Sequence, residues 1–154
     1  MAAVSFTIKD NTIPKITIQV GQPGHSQNRI DTVTFAVPNA NPGDGTPIQG
    51  SDEIAINLEL RTTASNRLTA FLTVDSATPL INGQGNTIPT SKISWTASDG
   101  DIPSGTFAGT SNQLIVSYSG YVNVSDRHTF YFANDTVYDA GTYNGQVTYT
   151  WFVP

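Results

Sequence analysis

Two histidines are the residues of this chain best suited to acid–base chemistry or metal binding. His25 lies next to Ser26 in the loop-like segment GQPGHSQNR, and His128 follows Arg127 near the start of an alternating segment. Neither has an acidic residue two or four positions after it, the spacing that would favour a metal site or a proton relay. We expect both histidines to be solvated or hydrogen-bonded rather than catalytic.

Motifs that mark nucleophiles, phosphate loops or zinc sites are missing from the sequence. It contains no Gly-x-Ser-x-Gly, no Gly-rich phosphate loop and no His-Glu-x-x-His. There is no cysteine, which excludes a thiol nucleophile, a thiolate metal site and a disulfide. The sequence therefore predicts a protein that is not an enzyme and holds no cofactor.

Carboxylates offer two further kinds of site. Asp99 and Asp101 flank a glycine in a predicted turn, with Ser98 and Ser104 nearby, and such oxygens suit calcium. Calcium takes six to eight oxygens, and the spacing is not that of an EF-hand. Ordinary turn chemistry and a calcium site both stay open for this segment.

Paired acids can also cleave glycosidic bonds, and Glu53 and Glu59 are one such pair in the sequence. Glu59 alternates with apolar residues, so we expect it to face water from the outer side of a strand. We do not expect the two glutamates to form a catalytic pair.

Aromatic side chains can stack on sugars or on a partner protein. Trp95 and Trp151 share the parity of inward positions, so we expect them in the core. Phe71 and Tyr131 have the opposite parity to their apolar neighbours and should lie on an outer face. Because an exposed Phe is unfavourable unless covered, Phe71 predicts a covering loop, a partner subunit or a ligand platform. Phe71 and Tyr131 are the candidates for a ligand or partner surface.

The elements that carry these residues are strands. Residues 141–154 alternate without interruption, with Tyr143, Val147, Tyr149, Trp151 and Val153 on one side. Asn144-Gly145 favours a hairpin turn, but the unbroken alternation favours one strand in which Gly145 is an inward position. A glycine there either admits a close neighbour or marks a bulge.

Similar alternation recurs along the chain, and no apolar pattern has helical spacing. We expect residues 54–60 and 68–74 to form a central hairpin, residues 33–37 to form a strand, and a bulge to lie at Ser119-Gly120. Residues 39–50 are predicted to form a long surface loop. The interpretation is one domain over residues 1–154, an all-β, immunoglobulin-like antiparallel β-sandwich of about nine strands.

Composition narrows the function classes. Only 12% of the 154 residues are charged, the net charge is −5, and the seven Lys and Arg residues are scattered singly, which argues against nucleic acid. No apolar run is long enough for a membrane span, so we expect no membrane insertion. The start, MAAVSFTIKD, lacks the features of a signal peptide; we expect that a leader was replaced by an initiator Met and that the protein is extracellular or on the cell surface.

The end of the chain resembles the closing strand of bacterial pilin and fimbrial subunits, and its last residues are similar to the WxL-type surface domains. The resemblance is carried by Ala140, Gly141, Tyr143, Val147, Thr148, Tyr149, Trp151 and Pro154. The usual pilin disulfide is absent, as it is in the disulfide-free class of fimbriae. This resemblance implies a non-enzymatic subunit that polymerises by lending a strand.

The segment with Val4, Phe6 and Ile8 is the candidate for that lent strand; the alternative is that it closes its own sandwich. The leading hypothesis is a secreted or cell-surface structural subunit, self-associating or adhesive, whose partners are copies of itself or other surface subunits. Alternatives are a carbohydrate-binding module that uses Phe71, Tyr131 or loop aromatics on a glycan, and a virion decoration protein.

Overall fold

The computed structural model describes residues 2–7, 15–21, 31–63 and 67–154. These residues form twelve strands and one short 3₁₀-helix, at Thr90–Lys92. The strands are β1 (Ala2–Thr7), β2 (Lys15–Gly21), β3 (Asp31–Val33), β4 (Ile48–Arg61), β5 (Thr69–Asp75), β6 (Leu80–Ile81), β7 (Thr87–Ile88), β8 (Ile93–Ala97), β9 (Gly105–Thr106), β10 (Gln113–Ser119), β11 (Val122–Phe132) and β12 (Gly145–Phe152).

Two five-stranded sheets make up the fold. The first has the order β10-β5-β12-β1-β3 and the second the order β2-β4-β11-β8-β9, while β6 and β7 form a small separate ribbon. Neighbouring strands are antiparallel except for β1 and β12, which run parallel. Buried residues from both sheets form one hydrophobic cluster. The predicted all-β sandwich is confirmed.

The last strand follows its sequence pattern closely. Val147, Tyr149 and Trp151 are buried, and the threonines between them are only partly covered, so one face of β12 looks into the core. No hairpin forms at Asn144-Gly145, as predicted, but the strand begins only at Gly145, so the alternating residues before it lie outside β12. A Cβ on Gly145 would lie 2.9 Å from Cγ of Leu80, so the glycine admits a close neighbour, as expected.

The predicted central hairpin is wrong. Residues 54–60 lie in β4, in the second sheet, and residues 68–74 lie largely in β5, in the first sheet. The chain therefore crosses between sheets after Arg61. Because a strand buries alternate residues equally well from either side of a sandwich, periodicity does not distinguish a hairpin from such a crossing.

The predicted bulge at Ser119-Gly120 is also a crossing. β10 pairs with β5, but β11 pairs with β4 in the opposite sheet. Gly120 makes the turn with a φ of +84°, a conformation that other residues rarely adopt. The irregularity within β10 lies earlier, between Leu114 and Val116.

The strand predicted over residues 33–37 is wrong in its extent, because only residue 33 belongs to a strand. β3 stops at Val33, which lies opposite Ala2, the first residue of β1. The next residue bonds to the other sheet, because the carbonyl of Thr34 accepts from the N–H of Ser51 on β4 at 2.9 Å. Phe35 instead packs against Phe132, with ring centroids 6.2 Å apart.

The hydroxyl of Tyr149 destabilises the core, because it is buried without a hydrogen-bond partner among the described residues. It is fully buried, has no hydrogen-bond partner within the described part of the chain, and burial raises the pKa of this phenol. An unpaired buried hydroxyl costs roughly 1–3 kcal/mol. We expect Tyr149→Phe to raise the free energy of unfolding by about 1 kcal/mol, measured by urea denaturation.

Tyr143→Phe is the matched control, since the Tyr143 hydroxyl donates to the carbonyl of Asp139 at 2.9 Å. That variant should lose about 1 kcal/mol. If Tyr149→Phe and Tyr143→Phe lowered the free energy of unfolding equally, the Tyr149 hydroxyl would have to make a hydrogen bond in the folded protein.

Candidate functional site

The two aromatic residues predicted on an outer face do not form one surface. Phe71 lies on β5 in the first sheet and Tyr131 on β11 in the second, and both are half-buried. Phe71 is covered by Phe152, its partner across the strand pair, with ring centroids 5.9 Å apart. This contact within the chain accounts for an outward phenylalanine without a ligand.

Both tryptophans lie in the core, as predicted. Trp95 donates its indole N–H to the carbonyl of Pro103 at 2.8 Å, and Trp151 donates to the carbonyl of Glu59 at 3.1 Å. Each buried ring therefore has its polar atom satisfied, and neither is available to stack on a sugar.

The predicted exchange segment is partly described. The backbone at Val4 and Phe6 belongs to β1, while Ile8 lies outside the described residues. β1 pairs with β12 from Ala2–Gly145 to Thr7–Thr150, and with β3 on its other side. In this structure the segment closes the sheet of its own chain, and its exchange between copies stays a prediction.

His25 and Ser26 lie outside the described residues, whereas His128 is completely buried. Its Nε2 is 3.0 Å from the carbonyl of Ile102, so Nε2 carries the proton, and its ring stacks on Trp95. Burial lowers the pKa of His128, partly offset by the Ile102 bond and by Asp126. The hydrogen-bonded role predicted for it is confirmed.

The carboxylate of Asp126, a residue that the sequence analysis did not single out, accepts many hydrogen bonds. Asp126, 1% exposed, lies on β11 and accepts hydrogen bonds from six donors. They are the backbone N–H groups of Ser98, Asp99, Gly100, Ile102 and Arg127 and the hydroxyl of Ser98, at 2.8–3.1 Å. One carboxylate thus fixes the loop of residues 98–102 to the sheet.

This arrangement bears on the calcium alternative at Asp99 and Asp101. The backbone N–H groups of the loop converge on Asp126, so the concave side of the turn already holds an anion. The carboxylate of Asp99 lies 3.3 Å from the hydroxyl of Ser98. Among the described residues, no group of three or more His, Cys, Asp or Glu side chains is arranged to hold a metal ion.

The pKa of Asp126 makes this loop sensitive to acid. Burial alone would raise it, but hydrogen bonds from Ile102, Asp99, Ser98 and Arg127 outweigh burial and lower the pKa from 3.8 to about 2. The stability from this shift is present above the unfolded pKa and is lost as the pH falls from about 4 towards 2. We expect a loss of about 2 kcal/mol across that window.

Urea unfolding at about pH 5 and about pH 2 measures this loss, with Asp126→Asn as the control that cannot titrate. At the higher pH the variant should have a lower free energy of unfolding than the unmodified protein. Its free energy of unfolding should also fall less between the higher and the lower pH. If the free energy of unfolding fell by the same amount in the unmodified protein and in Asp126→Asn, the role of Asp126 would be contradicted.

Glu53 and Glu59 do not form a catalytic pair. They lie six residues apart on β4, which separates them by about 20 Å along a strand, well beyond the roughly 5–9.5 Å of glycosidase acids. Glu59 is hydrogen-bonded to Arg61, and Glu53 accepts from the hydroxyl of Thr129 at 3.3 Å. The water-facing role expected for Glu59 fits its partial exposure.

A cavity of about 340 Å³ opens between two loops, residues 34–47 and residues 133–144. Its apolar and aromatic lining is formed by Val37, Pro38, Pro42, Ile88, Phe132, Val137, Tyr138 and Tyr143. Its polar lining is formed by Asn39, Asn134, Thr136 and Asp139. We call this space the loop cavity. The first loop includes most of the surface loop predicted from the sequence.

Asn134 holds the two loops in place. Its side-chain oxygen accepts from the N–H of Gly43 at 2.9 Å, and its amide nitrogen donates to the carbonyl of Asn41 and to Asp44. The backbone carbonyl of Asn134 also accepts from Gly45 at 2.8 Å. Asn134 is buried and adopts a φ of +47°, and its hydrogen bonds join the two loops that line the cavity.

The rings at the cavity form a row. Phe132 and Tyr138 lie 6.5 Å apart at 47°, and Tyr138 and Tyr143 lie 6.4 Å apart at 64°. Phe132 and Tyr143 are buried, whereas Tyr138 is only half-buried. Tyr138 is therefore the ring most accessible to a molecule in the cavity.

No protein-family model matches this chain, and no curated protein is significantly similar to it. Within the described residues, no helix has the length and hydropathy needed to cross a membrane. The fold and the site thus define an all-β sandwich with one acid-anchored loop and a cavity between fixed loops. The resemblance to pilin-type subunits stays a prediction.

Proposed function

We propose that this chain is a non-enzymatic structural subunit of a secreted or cell-surface assembly, and that copies associate by exchanging the N-terminal strand. The observation that carries the proposal is the position of β1. β1 lies between β12 and β3, and its backbone pairing with both strands completes the first sheet. No disulfide secures it, since the chain has no cysteine.

Removal of β1 leaves a well-defined acceptor. The edge of β12 from Gly145 to Thr150 loses its ladder partner, and the core at Val147 and Tyr149 loses a neighbouring strand. The β1 strand of another copy makes the same contacts that this chain's own strand makes. Exchange of an identical element is a low-cost route to dimers and to longer chains of subunits.

The outer face of the first sheet suits a crowded assembly. Beside the Phe71–Phe152 pair, the described side chains on this face are largely hydroxyl residues, among them Thr69, Ser117, Ser119, Thr148 and Thr150. Neutral hydroxyl faces of neighbouring copies can approach without the repulsion that a charged surface would produce. The low charge content supports the same interpretation.

Sedimentation velocity over a concentration series tests the proposal. We expect larger species as the concentration rises, and slow conversion between them because a strand must leave its sheet. Leu114→Lys is the control, since Leu114 is 56% exposed on β10, which pairs only with β5 among the described strands. Association should persist in this variant.

Two outcomes would overturn the proposal. The first is a strict monomer at every concentration. The second is association that disappears in Leu114→Lys, which would assign the contact to the open edge of β10 rather than to β1.

A further inference from the structure

We infer that the loop cavity is a binding site for a neutral hexose ring, such as one unit of a glycan. This site is separate from the strand exchange proposed above and lies elsewhere on the molecule than Phe71 and Tyr131. Its volume, about 340 Å³, falls within the range of small-molecule sites, roughly 300–1,000 Å³.

The lining excludes anionic ligands. Among the described residues that line the cavity there is no Lys or Arg. The nearby Lys92 is bound to Asp135 by its ammonium group at 2.7 and 2.9 Å. The one charged group in the lining is the carboxylate of Asp139, and it would repel a phosphate or a sialic acid.

The combination of apolar and polar groups in the lining of the loop cavity is suited to a sugar. A hexose presents apolar C–H faces and a rim of hydroxyls, so it needs a ring or aliphatic wall beside hydrogen-bonding groups. Tyr138, Val37 and Val137 provide the apolar contacts, and the two valines are 41% and 69% exposed. Such exposure at the mouth of a cavity is unfavourable in water and is relieved when a ligand covers it.

The polar groups at the rim supply both donors and acceptors. Asn39 offers an amide and Asp139 a carboxylate, whereas the hydroxyl of Thr136 already donates to Asp135 at 3.1 Å. One carboxylate oxygen of Asp139 accepts from the side chain of Asn86 at 3.0 Å, which orients the group and leaves the other oxygen for a sugar hydroxyl. Carboxylates and amides are acceptors and donors that a polyol can satisfy in pairs.

The same geometry disfavours a quaternary ammonium ligand. A cage for such a cation needs several open ring faces around one point. Here Phe132 and Tyr143 are buried, and both lie against Tyr138 with centroids 6.4–6.5 Å apart. Only the half-buried Tyr138 ring is left as a platform, which suits one flat sugar face.

Backbone NMR spectra of the full chain test the site, with D-glucose, D-galactose and D-mannose as probes and tetramethylammonium and phosphate as comparison ligands. We expect at least one hexose to shift amide signals of residues 37–42 and 132–143 with millimolar affinity. Tyr138→Ala should weaken binding by about tenfold or more, Tyr138→Phe should retain it, and Phe71→Ala should leave it unchanged.

Three results would overturn the inference. They are no shift with any of the hexoses, shifts only with tetramethylammonium or phosphate, and hexose shifts that survive in Tyr138→Ala. The spectrum of each variant reports whether it is folded. Since the monomer suffices for this experiment, its outcome is independent of strand exchange.

Discussion

Asp126→Ala is expected to lower the free energy of unfolding by about 3 kcal/mol or more. The substitution removes the acceptor for five backbone N–H groups and one hydroxyl, and the N–H of Ile102 among them is buried. A buried donor without a partner costs roughly 1–3 kcal/mol, and bonds to a charged acceptor are the stronger kind. Urea denaturation followed by tryptophan fluorescence measures the effect.

The control lies in the same loop. Asp99 is exposed, and the described contact of its side chain is with Ser98 at 3.3 Å. Asp99→Ala should therefore change stability by less than about 0.5 kcal/mol. If both alanine variants were equally stable, the loop of residues 98–102 would not depend on the buried carboxylate.

Trp151→Ala is expected to be at least as damaging, with a loss of about 3–5 kcal/mol. The side chain is fully buried near the end of β12, and its indole N–H donates to the carbonyl of Glu59 in the opposite sheet. The variant would leave a large cavity and would remove the hydrogen bond to the carbonyl of Glu59. Because small domains have only about 5–15 kcal/mol of stability, the urea midpoint should fall sharply.

Phe152→Ala tests the alternation along the same strand. Its ring lies on the outer face, half-buried against Phe71, and should contribute about 1 kcal/mol. A larger loss for Phe152→Ala than for Trp151→Ala would place the wrong face of β12 in the core.

The final strand, β12, shows which features of this fold could be predicted from the sequence. Its alternation identified the buried set, including Tyr149 and Trp151, and favoured an inward Gly145 over a hairpin turn. That prediction succeeded because β12 is a central strand with a fully buried face, where the period of two is strict. The all-β class followed from the same signal repeated along the chain.

Which sheet each strand joins was not predictable in the same way. The segment of residues 54–74 has the pattern of a hairpin, and the structure makes it a crossing between sheets. Both arrangements bury the same alternate residues, so the choice is decided by contacts distant in sequence. The change of parity near Gly120 has the same cause.

The candidate sites depend still more on tertiary contacts. Asp126 occupies an inward position between Val124 and His128 in an alternating strand, and an acid at such a position was the available signal. Its six donors, however, come mostly from a loop about 25 residues earlier. The loop cavity likewise forms only when Asn134 joins segments about 90 residues apart.

Exchange of the N-terminal strand is tested most directly by a disulfide between Ser5 and Thr148. These residues are register partners on β1 and β12, and neighbouring strands lie about 4.8 Å apart, within reach of a disulfide between Cα atoms about 4.4–6.8 Å apart. The chain has no other cysteine, so S5C/T148C reports on this pair alone. The single variant S5C, which can link at most two chains, is the control.

Oxidation of S5C/T148C at high protein concentration should give a ladder of covalently linked chains on a non-reducing gel, which collapses to monomer after reduction. Dilute protein should give mainly the internal disulfide, because each strand then pairs with its own chain. A single monomer band at every concentration would show that β1 only closes its own sheet and would contradict strand exchange.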